Sequence, residues 1–245
     1  MSGALSVFRR EFRSYFVTPV AVVFIVIFLM LAGIFTFYIG QFYEREQADL
    51  QSFFVYHPWL YLFLVPAISM RLWAEERKTG TLELILTLPL PLWAIVVGKF
   101  LAAWAFTGVA LALTFPIWIT VNYLGQPDNG VIIASYLGSF LMAGGYLAVG
   151  AAISATTKNQ VIAFVVAVSV CFLFLVAGLP IVLDFFEEWA GTTILETIAG
   201  FSFLSHFDSI RQGLIDFRDL VFFASFIGFW LFVNLIIVES KREAG

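Results

Sequence analysis

Six long runs without a charged residue dominate this chain of 245 residues. A helix needs about 20 apolar residues to cross the hydrocarbon core of a bilayer. Each run has between 19 and 27 residues, and backbone amides inside a bilayer must be satisfied within the segment, which favours helices. The runs are Val20–Gly40, Ser52–Met70, Phe100–Leu124, Val131–Thr157, Asn159–Leu183 and Leu220–Val238. The sequence therefore predicts an all-α polytopic membrane protein with six transmembrane helices.

Composition supports this fold class, because only 12% of the residues are charged and the mean hydropathy is +0.96. A soluble domain carries about 25% charged residues. We expect one membrane domain over residues 1–245, with spans at about 18–42, 55–74, 93–124, 131–154, 159–183 and 218–239. Pro58 should lie in the first turn of the second span, Pro116 should kink the third, and Pro180 should lie near the end of the fifth. The single cysteine, Cys171, is expected to be a buried apolar side chain.

The distribution of Lys and Arg predicts which ends of the spans face the cytoplasm. With six spans, both termini and loops 71–99 and 154–158 share one side, which holds ten of the 13 Lys and Arg residues. The other three, Arg45, Arg211 and Arg218, lie on the opposite side. Cytoplasmic loops carry the excess of positive charge. We therefore expect both termini to lie in the cytoplasm.

The first 16 residues predict an amphipathic helix at the membrane surface. Leu5, Phe8, Phe12 and Tyr15 recur every three or four residues, and the basic residues of the segment, Arg9, Arg10 and Arg13, lie away from that stripe. A signal peptide is the alternative, but the 21-residue run that follows exceeds a signal h-region of about 7–15 residues.

The densest charge of the chain lies between the second and third spans. Leu72–Lys78 can extend the second helix, and Gly80 should end it. Thr81 is expected to be the N-cap of a short helix, Leu82–Leu88, with Glu83 in its first turn and Pro89 after it. This helix is too short to span. Its apolar residues Leu82, Ile85, Leu86 and Leu88 are expected to face water, which predicts either a docking surface for a protein or a helix lying on lipid.

The segment between the fifth and sixth spans, residues 184–219, is long for a loop, and we expect one or two short helices in it. Its aromatic residues are expected to sit in the headgroup belt of the outer interface. They are Phe185, Phe186, Trp189, Phe201, Phe203 and Phe207.

Small and polar residues elsewhere give further expectations. Gly144, Ala148 and Ala152 form a ladder on the fourth span that favours close approach of another helix, more often from the same subunit than from a dimer mate. Lys99 is expected to extend toward the cytoplasmic interface. His57 and His206 are interpreted as ordinary histidines of outer loops, with no spacing that indicates a metal site.

Two absences restrict the mechanism. The sequence contains no G-x-x-x-x-G-K-[ST] motif, so the chain holds no phosphate-binding loop of its own. No Asp, Glu, Lys, Arg or His lies in the middle of any run, whereas ion-coupled carriers usually need such groups. Both absences favour a membrane subunit that is driven by another chain. No catalytic residue, metal or cofactor is expected here.

A pattern E-x-R-x-x-G-T-x-E after the second span resembles the signature of ABC-2 type transporter permeases. It is formed by Glu75, Arg77, Gly80, Thr81 and Glu83. Segments along the rest of the chain are similar to the gliding-motility (GldF-like) permeases: Arg10–Phe12, Pro66–Arg71, Gly98–Phe100, Ser154–Gln160, His206–Ile210, and Gly213 with Ile215–Asp216 and Arg218–Asp219.

The resemblance implies that the short helix is a coupling helix seated in a groove of a separate ATPase. It implies two permeases, identical or homologous, packed through spans one and five, with two ATPase subunits that bind ATP and Mg. The residues that would shape this helix are Glu75, Glu76, Arg77, Gly80, Thr81 and Glu83, and Leu82, Ile85 and Leu86 would contact the ATPase. A periplasmic or auxiliary subunit is compatible with this assembly, and nucleic acid is not an expected partner.

Three functions remain open at this point: the membrane subunit of an ATP-driven exporter, a mechanotransmission subunit that moves a periplasmic partner without transport, and an ATP-independent channel or carrier. The substrate is not indicated by the sequence.

Overall fold

The structure, a computed structural model, describes residues 2–87, 89–187, 191 and 197–243. Its described residues form helices and connecting turns, with no strand among them. The first half contains α1 (Ser2–Val17), α2 (Pro19–Gly33) with a π-helical continuation (Ile34–Ile39), α3 (Gln51–Phe54), α4 (His57–Ser69), α5 (Arg71–Thr79), α6 (Thr81–Leu86) and α7 (Leu92–Ala112). The second half contains α8 (Phe115–Leu124), α9 (Asn129–Thr156), α10 (Gln160–Val176), α11 (Pro180–Glu187), α12 (Phe203–Arg211) and α13 (Phe217–Glu243).

Helix α9 is the centre of the bundle, and small residues explain why. It packs against α4, α5, α7, α10, α12 and α13. A Cβ atom added at Gly144 would lie 2.9 Å from both Ile227 of α13 and Trp104 of α7. Ala148 and Ala152 are buried on the same face. The expected close approach along this ladder is therefore confirmed, and the neighbours belong to the same chain.

In the described part of the chain, four helical segments are long and apolar enough to cross a membrane: Ala21–Ile39, Leu92–Leu124, Asn129–Thr156 and Phe217–Lys241. These overlap the expected first, third, fourth and sixth spans. The third is interrupted at Leu113–Thr114, where α7 ends and α8 begins with Pro116 in its first turn. The expected kink is therefore a break between two helices.

The expected second and fifth spans are shorter than predicted. The second is divided at Met70 into the 13-residue α4, with Pro58 in its first turn as expected and Pro66 inside it, and the nine-residue α5. The fifth, α10, ends at Val176 after 17 residues. Pro180 does not lie at the end of that helix, because it begins α11, as its fixed φ and missing N–H favour.

The N-terminal helix α1 is confirmed as a helix, and it packs on α7. Gly98 allows this contact, since a Cβ there would lie 2.8 Å from Val7 Cβ and 2.9 Å from the Ala4 carbonyl oxygen. Val7 is buried, and Phe12 and Tyr15 of the expected apolar stripe pack against the core, whereas Leu5 is exposed. The face turned to the protein therefore includes part of the stripe that the sequence indicated, together with Val7.

Candidate functional site

A turn at Gly80 forms an exposed corner between α5 and α6 at the charged end of the bundle. Gly80 ends α5 with a left-handed conformation (φ 74°, ψ 8°), and its N–H donates to the Glu76 carbonyl oxygen. Gly80 itself is the N-cap of α6, so the expectation that Thr81 caps this helix is wrong. Thr81 is the first helical residue, and its hydroxyl contacts Thr79 Oγ1 at 3.0 Å. Glu83 lies in the first turn, as predicted.

The apolar surface of α6 differs from the sequence expectation. Leu84 is 68% exposed, whereas Ile85 is only 8% exposed, so the expected exposure of Ile85 is wrong. Leu82 is partly buried against the core. The spacing explains this outcome, because Leu82 and Ile85 are three residues apart and share one helix face. Leu88 and the side chain of Leu86 lie outside the described residues. Leu84, which the sequence analysis did not single out, is the protruding apolar side chain of the described part of α6.

A serine of α9 holds the junction between α4 and α5. Ser154 Oγ accepts hydrogen bonds from the Trp73 and Ala74 amides, each at 3.1 Å, and donates to the Met70 carbonyl oxygen at 2.8 Å. The Ala74 amide would otherwise bond to Met70 within a regular helix. The hydroxyl is thus inserted into the helical hydrogen-bond ladder, which explains the interruption at Met70. Arg77 adds a second link by donating to the Ala155 carbonyl oxygen at 2.8 Å.

A buried lysine joins three helices beside this junction. Lys99 Nζ lies 2.6 Å from Glu76 Oε1 and 3.4 Å from Glu11 Oε2, and 5.3 Å from the centre of the Trp73 ring. Its side chain is 3% exposed, so the expectation that it extends to the interface is wrong. The reason is that folding brings α1 and α5 over α7 and supplies two carboxylates to the ammonium group. Burial raises the pKa of Glu76, and the adjacent Lys99 partly opposes this effect.

A second ion pair lies along α5. Arg71 donates to both carboxylate oxygens of Glu75, at 2.8 Å and 3.1 Å. This bidentate contact lowers the pKa of Glu75. The predicted site residues therefore separate into two groups. Glu76 and Arg77 attach α5 to the bundle, and Glu75 is paired with Arg71 within α5, whereas Gly80, Thr81 and Glu83 form the exposed corner.

The opposite end of the bundle is more tightly packed than the sequence indicated. Among the described residues of the segment 184–219, α12 is a short helix, as predicted, and α11 extends into the start of the segment from Pro180. Phe203 and Phe207 of α12 are buried, so the expectation that they sit in the headgroup belt is wrong. With Ile210 they form a stripe that packs on α9, where a Cβ at Gly138 would lie 2.8 Å from Ile210. The side chains of Phe185 and Phe186, and all of Trp189, lie outside the described residues.

Both histidines have specific partners, so the interpretation as ordinary loop residues is wrong. His57 begins α4, is fully buried, and its Nδ1 lies 2.7 Å from Ser139 Oγ. His206 Nδ1 lies 2.6 Å from Asp219 Oδ1, and its Nε2 lies 3.0 Å from the Gly200 carbonyl oxygen. A neutral imidazole has one N–H, and here both nitrogens face acceptors. A second proton, on the ring or on Asp219, is needed to satisfy both contacts.

With this geometry in hand, comparison with known proteins identifies the family. A family model described as ABC-2 family transporter protein matches residues 5–238. The chain belongs to the ABC-2 family of transporter proteins. It is therefore a multi-pass membrane subunit of an ABC transporter, and the sequence-based recognition of the superfamily is confirmed.

Two curated relatives match part of the ABC-2 chain. One is heme exporter protein B of Paracoccus denitrificans (strain Pd 1222), 36% identical over 80 residues, which are 32% of this chain and 37% of that protein. The other is heme exporter protein B of Rhodobacter capsulatus, 36% identical over 70 residues, which are 28% of this chain and 32% of that protein. The match covers about a third of the length of each relative.

Proposed function

We propose that the chain is the non-catalytic membrane subunit of an ATP-driven ABC exporter, and that the corner of α5 and α6 is where a separate ATPase docks. The observation that carries the proposal is the combination of an exposed tip with a firmly anchored base. Leu84 and Glu83 protrude at the tip. At the base, α5 is bonded to α9 through Ser154 and Arg77 and to α7 through Glu76. A force applied to α6 would therefore move α5 against the bundle.

The proposed topology has six spans, with both termini in the cytoplasm of a bacterial inner membrane. Contacts gather the predicted cytoplasmic segments at one end, because α1, α5 and the start of α7 meet at Lys99, and the end of α9 meets α5. The predicted outer segments meet at the other end, where Ser135 donates to the Arg211 carbonyl oxygen and Ala48 lies against Gly125. On this topology α4 and α10 also cross, as the shorter second and fifth spans.

ATP and Mg would be bound by the ATPase chains, and no cofactor is proposed for this chain. We infer an assembly of two ATPases with two permeases, the second permease being a further copy or a homologue. The gliding-motility (GldF-like) subfamily is proposed on the sequence segments that resemble it. The export direction is supported by the likeness to two proteins named as heme exporters.

Site-directed crosslinking tests the docking site. The native cysteine, Cys171, is buried, so a cysteine placed at Leu84 would be the reactive thiol of the described residues. We expect Leu84→Cys to crosslink to the ATPase subunit, and Ile133→Cys, an exposed position on the outer half of α9, to give no such product. Absence of the Leu84 crosslink in an assembled, ATP-hydrolysing complex would refute the docking site.

Transport assays test coupling through the corner. Gly80→Pro should uncouple ATP hydrolysis from transport, because proline fixes φ near −65° and Gly80 has a φ of 74°. Glu83→Lys should weaken docking by placing a cation at the start of α6. Both variants should remain inserted in the membrane. Normal ATPase recovery together with normal export in either variant would contradict the assignment.

A mechanotransmission subunit is the second candidate, and α9 favours it. This single helix contacts α5 at Ser154 and the outer helix α12 at Gly138. The two positions are 16 residues apart, or about 24 Å at 1.5 Å per residue. Movement at the corner could thus reach the outer surface without a transport path. Solute accumulation in vesicles that contain the complete complex would favour export, and nucleotide-dependent crosslinking of α12 to a periplasmic partner without accumulation would favour mechanotransmission.

A further inference from the structure

The imidazole of His206, near the start of α12, connects three parts of the chain at the end of the bundle opposite the corner. Its Nδ1 lies 2.6 Å from Asp219 Oδ1 on α13, and its Nε2 lies 3.0 Å from the carbonyl oxygen of Gly200, in the turn before α12. The ring also stacks on Phe222 of α13, with the two ring centres 3.9 Å apart. The side chain therefore holds the turn at Gly200 and the start of α13 together.

A neutral ring beside an ionised Asp219 cannot make both contacts as hydrogen bonds, because a neutral imidazole has one N–H and one acceptor nitrogen. With the proton on Nδ1, the ring donates to Asp219, and the lone pair of Nε2 faces the Gly200 carbonyl oxygen. With the proton on Nε2, the ring donates to Gly200, and the lone pair of Nδ1 faces the carboxylate. One additional proton on the ring makes both nitrogens donors and satisfies both contacts.

The surroundings of Asp219 favour a proton on the ring. Asp219 is 6% exposed, and its Oδ2 has no hydrogen-bond partner among the described residues. A buried carboxylate is costly unless a cation lies beside it. Within the part of the chain that the structure describes, His206 is the one basic side chain at ion-pair distance from Asp219. The stacked ring of Phe222 adds to this preference, because an aromatic face attracts a cation.

The other charged groups around the ring have partners of their own or lie in solvent. Asp208 of α12 is paired with Arg211, and Asp216 accepts a hydrogen bond from the amide of Arg218, whose side chain is exposed. Helices α9 and α10, which also pack on α12, contain no Asp, Glu, Lys, Arg or His. Their titratable side chains are Tyr136, Tyr146 and Cys171. The side chain of His206 is 18% exposed, so the ring can exchange its proton with water.

We propose that protonated His206 is a pH-dependent latch, which ties the turn at Gly200 to α13 and releases this turn when the ring loses its proton. Histidine is the side chain whose charge ordinarily changes between about pH 5 and 8. After loss of the proton, the neutral ring still donates from Nδ1 to Asp219, whereas the contact with Gly200 is lost. Helix α12 therefore stays attached to α13 while the turn before it is freed. On the proposed topology this end faces away from the cytoplasm, so external pH would control the turn.

Nitrogen NMR of the full chain with isotope-labelled histidine measures the ring proton directly. The chain contains two histidines, and the spectrum of His206→Gln identifies which signal belongs to His206. We expect the His206 ring to be an imidazolium at about pH 5 and a neutral ring with its proton on Nδ1 at about pH 9, on either side of the range in which histidine changes charge. A ring with the same charge at both pH values would overturn the proposal.

Hydrogen exchange of the turn at Gly200 measures the release, and Asp219→Asn removes the need for the additional proton. In this variant the asparagine amide can donate to Nδ1, so the neutral ring keeps its N–H on Nε2 for Gly200. We expect the variant and the unmodified protein to exchange alike at about pH 5. At about pH 9 the turn of the unmodified protein should exchange about tenfold faster than that of the variant, the ratio for loss of one hydrogen bond.

The matched control is Asp208→Asn, which removes a carboxylate of the same end that is paired with Arg211 instead of His206. This control should exchange like the unmodified protein at both pH values. Equal exchange of the unmodified protein and Asp219→Asn at the higher pH would overturn the proposal. If Asp219→Asn fails to fold, the histidine spectrum of the unmodified chain still decides. Because both measurements use the chain without the ATPase, failure of the latch is distinguishable from failure of the docking experiment at Leu84.

Discussion

Removal of the Ser154 hydroxyl should weaken the attachment of the α4–α5 junction to α9. In the native structure, this hydroxyl serves two amides and one carbonyl of the α4–α5 junction, and Ser154 and Trp73 are both buried. Each buried backbone group left without a partner costs about 1–3 kcal/mol. If nothing rearranged, three such groups would cost on the order of 3–9 kcal/mol.

Partial repair of the helix should reduce this cost. In Ser154→Ala, the Ala74 amide and the Met70 carbonyl are four residues apart and could bond to each other directly. We expect the break after Ser69 to persist, so that the Trp73 amide does not reach the Ser69 carbonyl, its acceptor in a regular helix, and is left unsatisfied beside a small void. The expected loss in the free energy of unfolding is then about 2–3 kcal/mol. The new bond at the junction would also change how α5 presents α6 to the ATPase.

Unfolding in detergent and hydrogen exchange measure the two parts of this prediction. The matched control is Thr156→Val, because the Thr156 hydroxyl bonds only to the Ile153 carbonyl of its own helix. Ser154→Ala should lower the unfolding free energy and accelerate exchange at the Trp73 amide, and it should lower ATP-driven export more than ATPase binding. A stability within about 0.5 kcal/mol of the control, with the Trp73 amide equally protected, would refute the role assigned to Ser154.

Further expectations follow from the buried charges. Lys99→Met should destabilise the protein by about 3–5 kcal/mol in a detergent unfolding assay, because it leaves Glu76 buried without its cation. Adding Glu76→Gln to this variant should recover part of the lost stability. Burial raises the pKa of Glu76 above 4.5, so the native state binds the proton of this carboxyl group more tightly than the unfolded state does. Thermal stability should therefore fall as pH rises from 4.5 through the raised pKa. The dependence of stability on pH should be weaker in Glu76→Gln. His206→Ala should lower the free energy of unfolding by about 1–3 kcal/mol, because it removes both hydrogen bonds of the ring. Asp219→Asn should lower it less, because the asparagine amide can donate to the neutral imidazole of His206. An equal loss in both variants would contradict the pairing.

Local signals were sufficient for the helices and for the corner. The run of uncharged residues predicted long helices, and Gly80 between two helical patterns predicted the break between α5 and α6. The small residues of α9 predicted close packing, because the absence of large side chains is visible in the sequence itself. The docking role of the corner stays a prediction, since no contact with another chain is part of the structure.

Long-range contacts account for the errors. Lys99 stands at the edge of an apolar run, where an extended lysine is the ordinary outcome, and its partners Glu76 and Glu11 lie 23 and 88 residues away. The role of Ser154 depends on how α9 approaches α4, which no local pattern encodes. The burial of α12 was visible in principle, because Phe203, Phe207 and Ile210 follow helical spacing and face the small residues of α9.

Two of these deviations, the contacts of Ser154 and the burial of α12, involve the same element, helix α9. Ser154 and the Ala155 carbonyl lie at one end of α9, Gly138 lies nearer its other end, and the residues between them are almost all buried. A buried helix packed on several sides cannot bend locally without opening voids, so it transmits displacement rather than absorbing it.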